Sequence, residues 1–103
     1  MPLKQRELQQ LQASAAEAAA LMRALGHDGR LLVLCTLVAE GECSAGALSQ
    51  AAGLSPSALS QHLARLREDG LVDNRREAQT VYYRIADPRV ERIVALLKDL
   101  YCP

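Results

Sequence analysis

Residues 54–72 read Leu-Ser-Pro-Ser-Ala-Leu-Ser-Gln-His-Leu-Ala-Arg-Leu-Arg-Glu-Asp-Gly-Leu-Val, and they leave the backbone little choice. Ser55 is a helix cap by type, and Pro56 takes the first helical position, where a missing N–H costs nothing. Leu59, Leu63 and Leu66 recur at helical spacing and must face a core, and Gly70 ends the helix. The opposite face carries Ser57, Ser60, Gln61 and Arg65, hydrogen-bonding groups and a cation. Such groups suit base edges in a major groove better than a catalytic pocket. The helix is expected to read DNA.

The flanking residues extend that expectation. Ser44 to Ala52 can form a short helix with Ala45, Leu48 and Ala52 on one face, and Gly53-Leu54-Ser55 is a tight turn out of it. Helix, short turn and helix is the helix-turn-helix arrangement. Beyond Gly70, Leu71 to Arg76 and Thr80 to Ile85 favour strand, with Glu77, Ala78 and Gln79 as the tip. Val81, Tyr83 and Ile85 alternate with Tyr82 and Arg84, so the second strand buries one face. The expected fold is mainly α with a small β-hairpin: a winged helix-turn-helix of four helices, two strands and a fifth helix. Arg75, Arg76 and Gln79 fall where the wing would meet the DNA backbone or minor groove. His62 is expected at a phosphate or in helix packing, and His27 at a cap or turn.

The 103 residues make one domain, 1–103, near the size at which a single core is only marginally self-sufficient. Half of them are hydrophobic, yet Phe and Trp are absent, so the core must be built from Leu, Val, Ile and Ala. The apolar runs are too short to span a bilayer and no signal-peptide pattern opens the chain, so a cytoplasmic protein without membrane contact is expected. Three cysteines fit a reducing compartment better than a disulfide framework. Formal net charge is zero, although phosphate neutralisation supplies much of the affinity for DNA. Between Arg65 and Arg92 seven Arg meet six acidic residues, so the cations must be sorted by face. A dimer gripping two half-sites would offset a modest affinity per subunit. No Ser-His-Asp set, Gly-rich phosphate loop or cleft carboxylate pair is visible, so catalytic residues, enzyme activity and cofactors are not expected.

The two ends of the chain look built for pairing. The first helix should run from about Leu3 to Leu25, with Leu8, Leu11, Ala15, Ala18, Met22 and Leu25 stepping by three and four in a heptad-like seam. A narrow seam with a polar remainder suits a partner helix; the alternative is that it covers its own core. Gly26 to Gly29 breaks the helix, a second begins near Asp28 with Leu31, Leu34, Cys35 and Val38 on its inner side, and residues 41–44 are a loop. Asp87 can cap and Pro88 can open a last helix to about Tyr101. Its Val90, Ile93, Val94, Leu97, Leu100 and Tyr101 make a broad apolar face, and the first and last helices are expected to form a homodimer interface.

Ala24-Leu25-Gly26-His27 with Arg30-Leu31-Leu32, then Leu59-Ser60-Gln61-His62-Leu63, then Gly70-Leu71-Val72, resemble the ArsR/SmtB repressors over about Leu21 to Tyr101. The resemblance implies a dimeric winged-helix repressor that leaves its operator when an inducer binds. It makes Ser57, Ser60 and Gln61 the base readers and Arg75, Arg76 and Gln79 the wing contacts on double-stranded operator DNA. Pro56 stands where many members carry a polar residue, so one contact is missing. The family's metal patterns are incomplete. Cys43 stands alone, with Ala45 where a Cys-x-Cys pair would end, and the last helix opens on Asp87-Pro88-Arg89 and contains no histidine. A tetrahedral metal site of that kind is therefore not expected. A third branch of the family, the sulfide-responsive repressors, looks more similar, through Leu34-Cys35-Thr36-Leu37 and Tyr101-Cys102-Pro103. This likeness implies that Cys35 and Cys102 are sensing thiols, bridged by reactive sulfur species or by oxidation.

Each cysteine also has an ordinary explanation. Cys35 lies on an apolar helical face and can act as a small hydrophobe, and Cys43 has no partner in the pattern. Two rival readings stay open. One keeps the repressor and makes its inducer a thiophilic metal or metalloid held by Cys35, Cys43 and Cys102. The other is a winged helix used as a protein-interaction module, for which a neutral charge would be natural.

Overall fold

The computed structural model describes residues 2–102, which form five helices and a three-stranded antiparallel sheet. In chain order these are α1 (Gln5–Leu25), α2 (Asp28–Glu40), β1 (Glu42–Ser44), α3 (Ala45–Ala52), α4 (Pro56–Glu68), β2 (Val72–Glu77), β3 (Thr80–Ile85) and α5 (Pro88–Tyr101). Pro103, the end of the expected Tyr-Cys-Pro sequence, lies outside the described residues.

Side-chain caps set most of the helix starts. The Ser44, Ser55 and Asp87 side chains accept from the amides of Ala47, Ala58 and Arg89 at 3.2, 3.1 and 2.9 Å. His27 caps α2 through its Nδ1, which accepts from the Gly29 amide at 3.0 Å. Gly53, with φ +65°, turns the chain between α3 and α4 in a left-handed conformation that a Cβ would oppose.

Leucine and valine fill the core, as a chain without Phe or Trp requires. Val33, Leu34 and Leu37 of α2, Leu48 of α3, Leu59, Leu63 and Leu66 of α4, Leu71 and Val72, and Val90 of α5 are all buried. Helix α2 is the hub, packing on α1, α3, α4, α5 and β3. Only the last turn of α1 joins this core, through Ala24 and Leu25. Arg30 pins that turn: its guanidinium donates to the carbonyls of Ala24 at 2.8 Å and Arg23 at 3.1 Å. This cation on the orphan carbonyls gives the Ala-Leu-Gly-His…Arg sequence its physical sense. Among the described residues no helix is long and apolar enough to cross a membrane.

Two expectations need correction. The segment 41–44 is not all loop: β1 pairs with β3, Cys43 opposite Tyr83, so the hairpin becomes a sheet of order β1-β3-β2. Its three residues are too few for a sequence period to show, and long-range pairing alone makes the strand. The inner face of α2 is assigned only in part. Leu34 is buried and Leu31 and Val38 pack half-buried against the core, but Val33 and Leu37 fill it. An apolar surface almost all round α2 leaves its rotation undetermined by sequence. Along α1 the seam divides: Leu8, Leu11 and Met22 are 42, 51 and 70 % exposed, while Leu25 is buried in the core.

Candidate nucleic-acid interface and dithiol groove

Helix α4 divides its sides as the leucine spacing requires. With Leu59, Leu63 and Leu66 buried, Ser57, Ser60, Gln61 and Arg65 are all exposed. Ser57, Ser60 and Gln61 share one stripe, three and four residues apart, open along its length. Arg65 stands at its edge and reaches Asp69 one turn on, at 3.2 Å. An exposed pair of this kind holds weakly and exchanges readily for another anion.

His62 turns the other way. Its ring lies 4.6 Å from that of His27, tilted by 51°, and it is half-buried. A Cβ on Gly29 would come within 3.0 Å of His62 Nε2, so the absent side chain lets α4 approach the start of α2. Burial first, then His27 and Arg30, pushes the His62 imidazole below its ordinary pKa. Helix packing, one of the two roles expected for His62, is thus the one this geometry provides.

The wing cations are sorted unequally. Arg75 makes a two-pronged contact to Glu42 on β1, at 2.8 and 3.0 Å, and a further bond to Glu77 at 2.9 Å. Its guanidinium also lies 4.6 Å over the Tyr82 ring. The Arg75 bond holds the Glu42 carboxyl below its usual range, so the pair is charged on both sides. Arg84 is likewise tied to Asp73 at 3.3 Å. Arg76 projects from the opposite side of β2 and among the described residues makes no ion pair. Gln79 is exposed in the two-residue turn, beside Ala78 at φ 55°. Reasoning from sequence missed Glu42, because its partner lies 33 residues away and its own strand was unforeseen.

The cysteines separate into two environments. Cys43 is buried on β1 within the core, where desolvation, then Glu40, raises its pKa. Cys35 on α2 and Cys102 just past α5 line the same groove, of about 520 Å³, with Leu31, Val38, Val94 and Leu97 around them. Cys35 is half-buried and Cys102 exposed, and neither is in a disulfide. Burial raises the Cys35 pKa, and the charge of Cys102 is close enough to raise it further. Among the described residues no three His, Cys, Asp or Glu side chains gather as a metal ion would need. The three-thiol metal reading therefore lacks its third ligand, since Cys43 does not line that groove.

Comparison with known proteins sets these features in a lineage. Residues 27–74 match the family described as bacterial regulatory protein, arsR family. The HTH-type transcriptional regulator YgaV of Escherichia coli (strain K12) is 54 % identical over 97 residues, 94 % of this chain and 98 % of YgaV. Among solved structures, reduced HlyU from Vibrio cholerae N16961 superposes with a TM-score of 0.84 at 46 % identity, covering 92 % of this chain and 99 % of that one. The transcriptional repressor BigR from Xylella fastidiosa gives 0.88 at 38 % identity, over 97 % and 99 % of the two chains.

Proposed function

This chain belongs to the arsR family of bacterial regulatory proteins, and from that premise we propose a dimeric repressor released from its operator through the Cys35 and Cys102 thiols. It is a DNA-binding regulator of transcription by family and not an enzyme. One observation carries the finer reading: the two thiols line a single groove between α2, the hub of the fold, and the end of α5.

In this reading Ser57, Ser60 and Gln61 meet base edges, Arg65 and Arg76 meet phosphates, and Gln79 meets the minor groove from the wing tip. Arg75, already held by Glu42, steadies the wing more than it grips DNA. Helices α1 and α5 join two copies, and a bridge between Cys35 and Cys102 ties α2 to α5. Since α2 packs on α3 and α4, the bridge shifts the reading helix against the dimer interface. Coupling of this kind is worth about 1–3 kcal/mol, or roughly 5- to 150-fold in affinity. A direct disulfide needs Cα atoms about 4.4–6.8 Å apart, and each inserted sulfur adds roughly 2 Å of reach. Reactive sulfur species, or oxidants that join the two thiols directly, are the proposed inducers.

The test is selection of duplexes from a random library, followed by binding at rising salt and after polysulfide. The reading expects a defined site, affinity falling steeply with salt, and release on polysulfide treatment. Gln61→Ala should relax one base pair by about 1–3 kcal/mol. Absence of any salt-dependent duplex binding would point to a protein-interaction module instead.

A further inference from the structure

Among the described residues that line the α2–α5 groove, Lys98 is the one charged side chain and Tyr101 brings a hydroxyl; apart from the two sulfurs the rest is hydrocarbon. At about 520 Å³ it is the size of small-molecule sites, which run from about 300 to 1,000 Å³. Cys102 stands exposed at one edge and Cys35 half-buried in the wall. An anionic donor must shed water to reach Cys35, whereas an apolar one gains by leaving it. The upward push of burial on the Cys35 pKa reports the same poorly hydrated wall.

We propose that this groove selects uncharged, apolar sulfane-sulfur donors of the dialkyl trisulfide class over charged or strongly hydrophilic donors. The proposal rests on the dithiol reading above and adds a choice of reactant to it. One cysteine thiolate attacks the central sulfur of R–S–S–S–R. The bond to one outer sulfur breaks, and R–S⁻ leaves with the electron pair and takes up the proton the thiol released. The second cysteine attacks that same sulfur in Cys–S–S–S–R and displaces the other R–S⁻, protonated in turn. Two protein thiols and one trisulfide thus give one Cys–S–S–S–Cys bridge and two R–SH. The cysteines are oxidised and the two outer sulfurs reduced.

The experiment treats the reduced full chain separately with dimethyl, dipropyl and glutathione trisulfide. Bridging is followed by intact mass as one sulfur gained and two hydrogens lost. Each rate is divided by that of the urea-unfolded chain with the same donor, which cancels intrinsic reactivity. The normalised rates should rise from glutathione through dimethyl to dipropyl trisulfide, with about tenfold or more between the extremes. Leu97→Gln, which places an amide in the lining and keeps both thiols, should slow dipropyl trisulfide more than glutathione trisulfide. Equal normalised rates for all three donors would overturn the selectivity and leave the dithiol switch standing. No bridging of the folded chain by any donor would overturn the switch, and the selectivity with it.

Discussion

In α4 every leucine is buried, whereas in α1 and α5 Leu8, Leu11, Leu96 and Leu100 are between 42 and 65 % exposed. Helix α4 is closed within one copy: it packs on α2 and α3, its start is capped by Ser55, and its His62 packs on His27. The ends of the chain are open. Helix α1 contributes only its last turn to the core, and α5 only Val90 to the fully buried set. Equal hydrophobicity in sequence therefore has two outcomes, self-contained packing in the middle and exposed apolar surface at the ends, where the proposed second copy would dock. The dithiol groove lies where the two regimes meet, between the buried hub α2 and the half-exposed α5.

The sharpest way to break this contrast is to truncate one leucine from each regime. Leu66→Ala should lower stability by about 2–5 kcal/mol in urea, through lost burial and a cavity the core cannot close. Leu11→Ala, measured in dilute protein, should cost less than about 0.5 kcal/mol. Similar losses at both sites would mean that α1 packs within its own copy.

A second variant acts on the open ends alone. Leu11→Lys combined with Leu100→Lys should leave the helical circular dichroism intact and yield monomers in sedimentation. Operator affinity should then fall about a hundredfold, as two linked half-site contacts become one. Dimers that persist would place the interface elsewhere.

Within the wing, the contrast is between a tied cation and a free one. Arg76→Ala should reduce the slope of log affinity against log salt by about one. Arg75→Ala should leave that slope nearly unchanged, because Glu42 and Glu77 already neutralise it. The reverse order would show that DNA displaces Glu42.

The smallest effect is one of pH. Burial, with His27 and Arg30, lowers the His62 pKa in the fold from its ordinary 6.5. As pH falls through that value the unfolded chain takes up the proton first, so stability present at neutral pH is lost on acidification. Thermal melts should therefore decline from pH 7 to about 5.5. His62→Gln should flatten the decline in this window, and an unchanged profile would remove His62 as its source.

Sequence made the local grammar plain and the tertiary choices less so. The caps Ser55 and Asp87, the turn at Gly53 and the leucines of α4 each follow from one residue type at one spacing. They stand in the structure where that reasoning puts them. Strand β1 and the Glu42–Arg75 pair escaped it, because both arise from partners far along the chain. The rotation of α2 escaped it too, since a helix apolar on most sides has no single moment to read. Yet that rotation decides what surrounds Cys35. The two thiols could be paired from sequence only through a family likeness, and it is the fold that brings them to one groove.

The measurement that bears most directly on the switch follows operator binding and intact mass together, before and after polysulfide, in the native chain, Cys35→Ser and Cys102→Ser. The account predicts that the native chain gains bridging sulfur, loses two hydrogens and releases DNA, while both variants stay bound. Release from either serine variant, or a bridged native chain that keeps its grip on DNA, would contradict it.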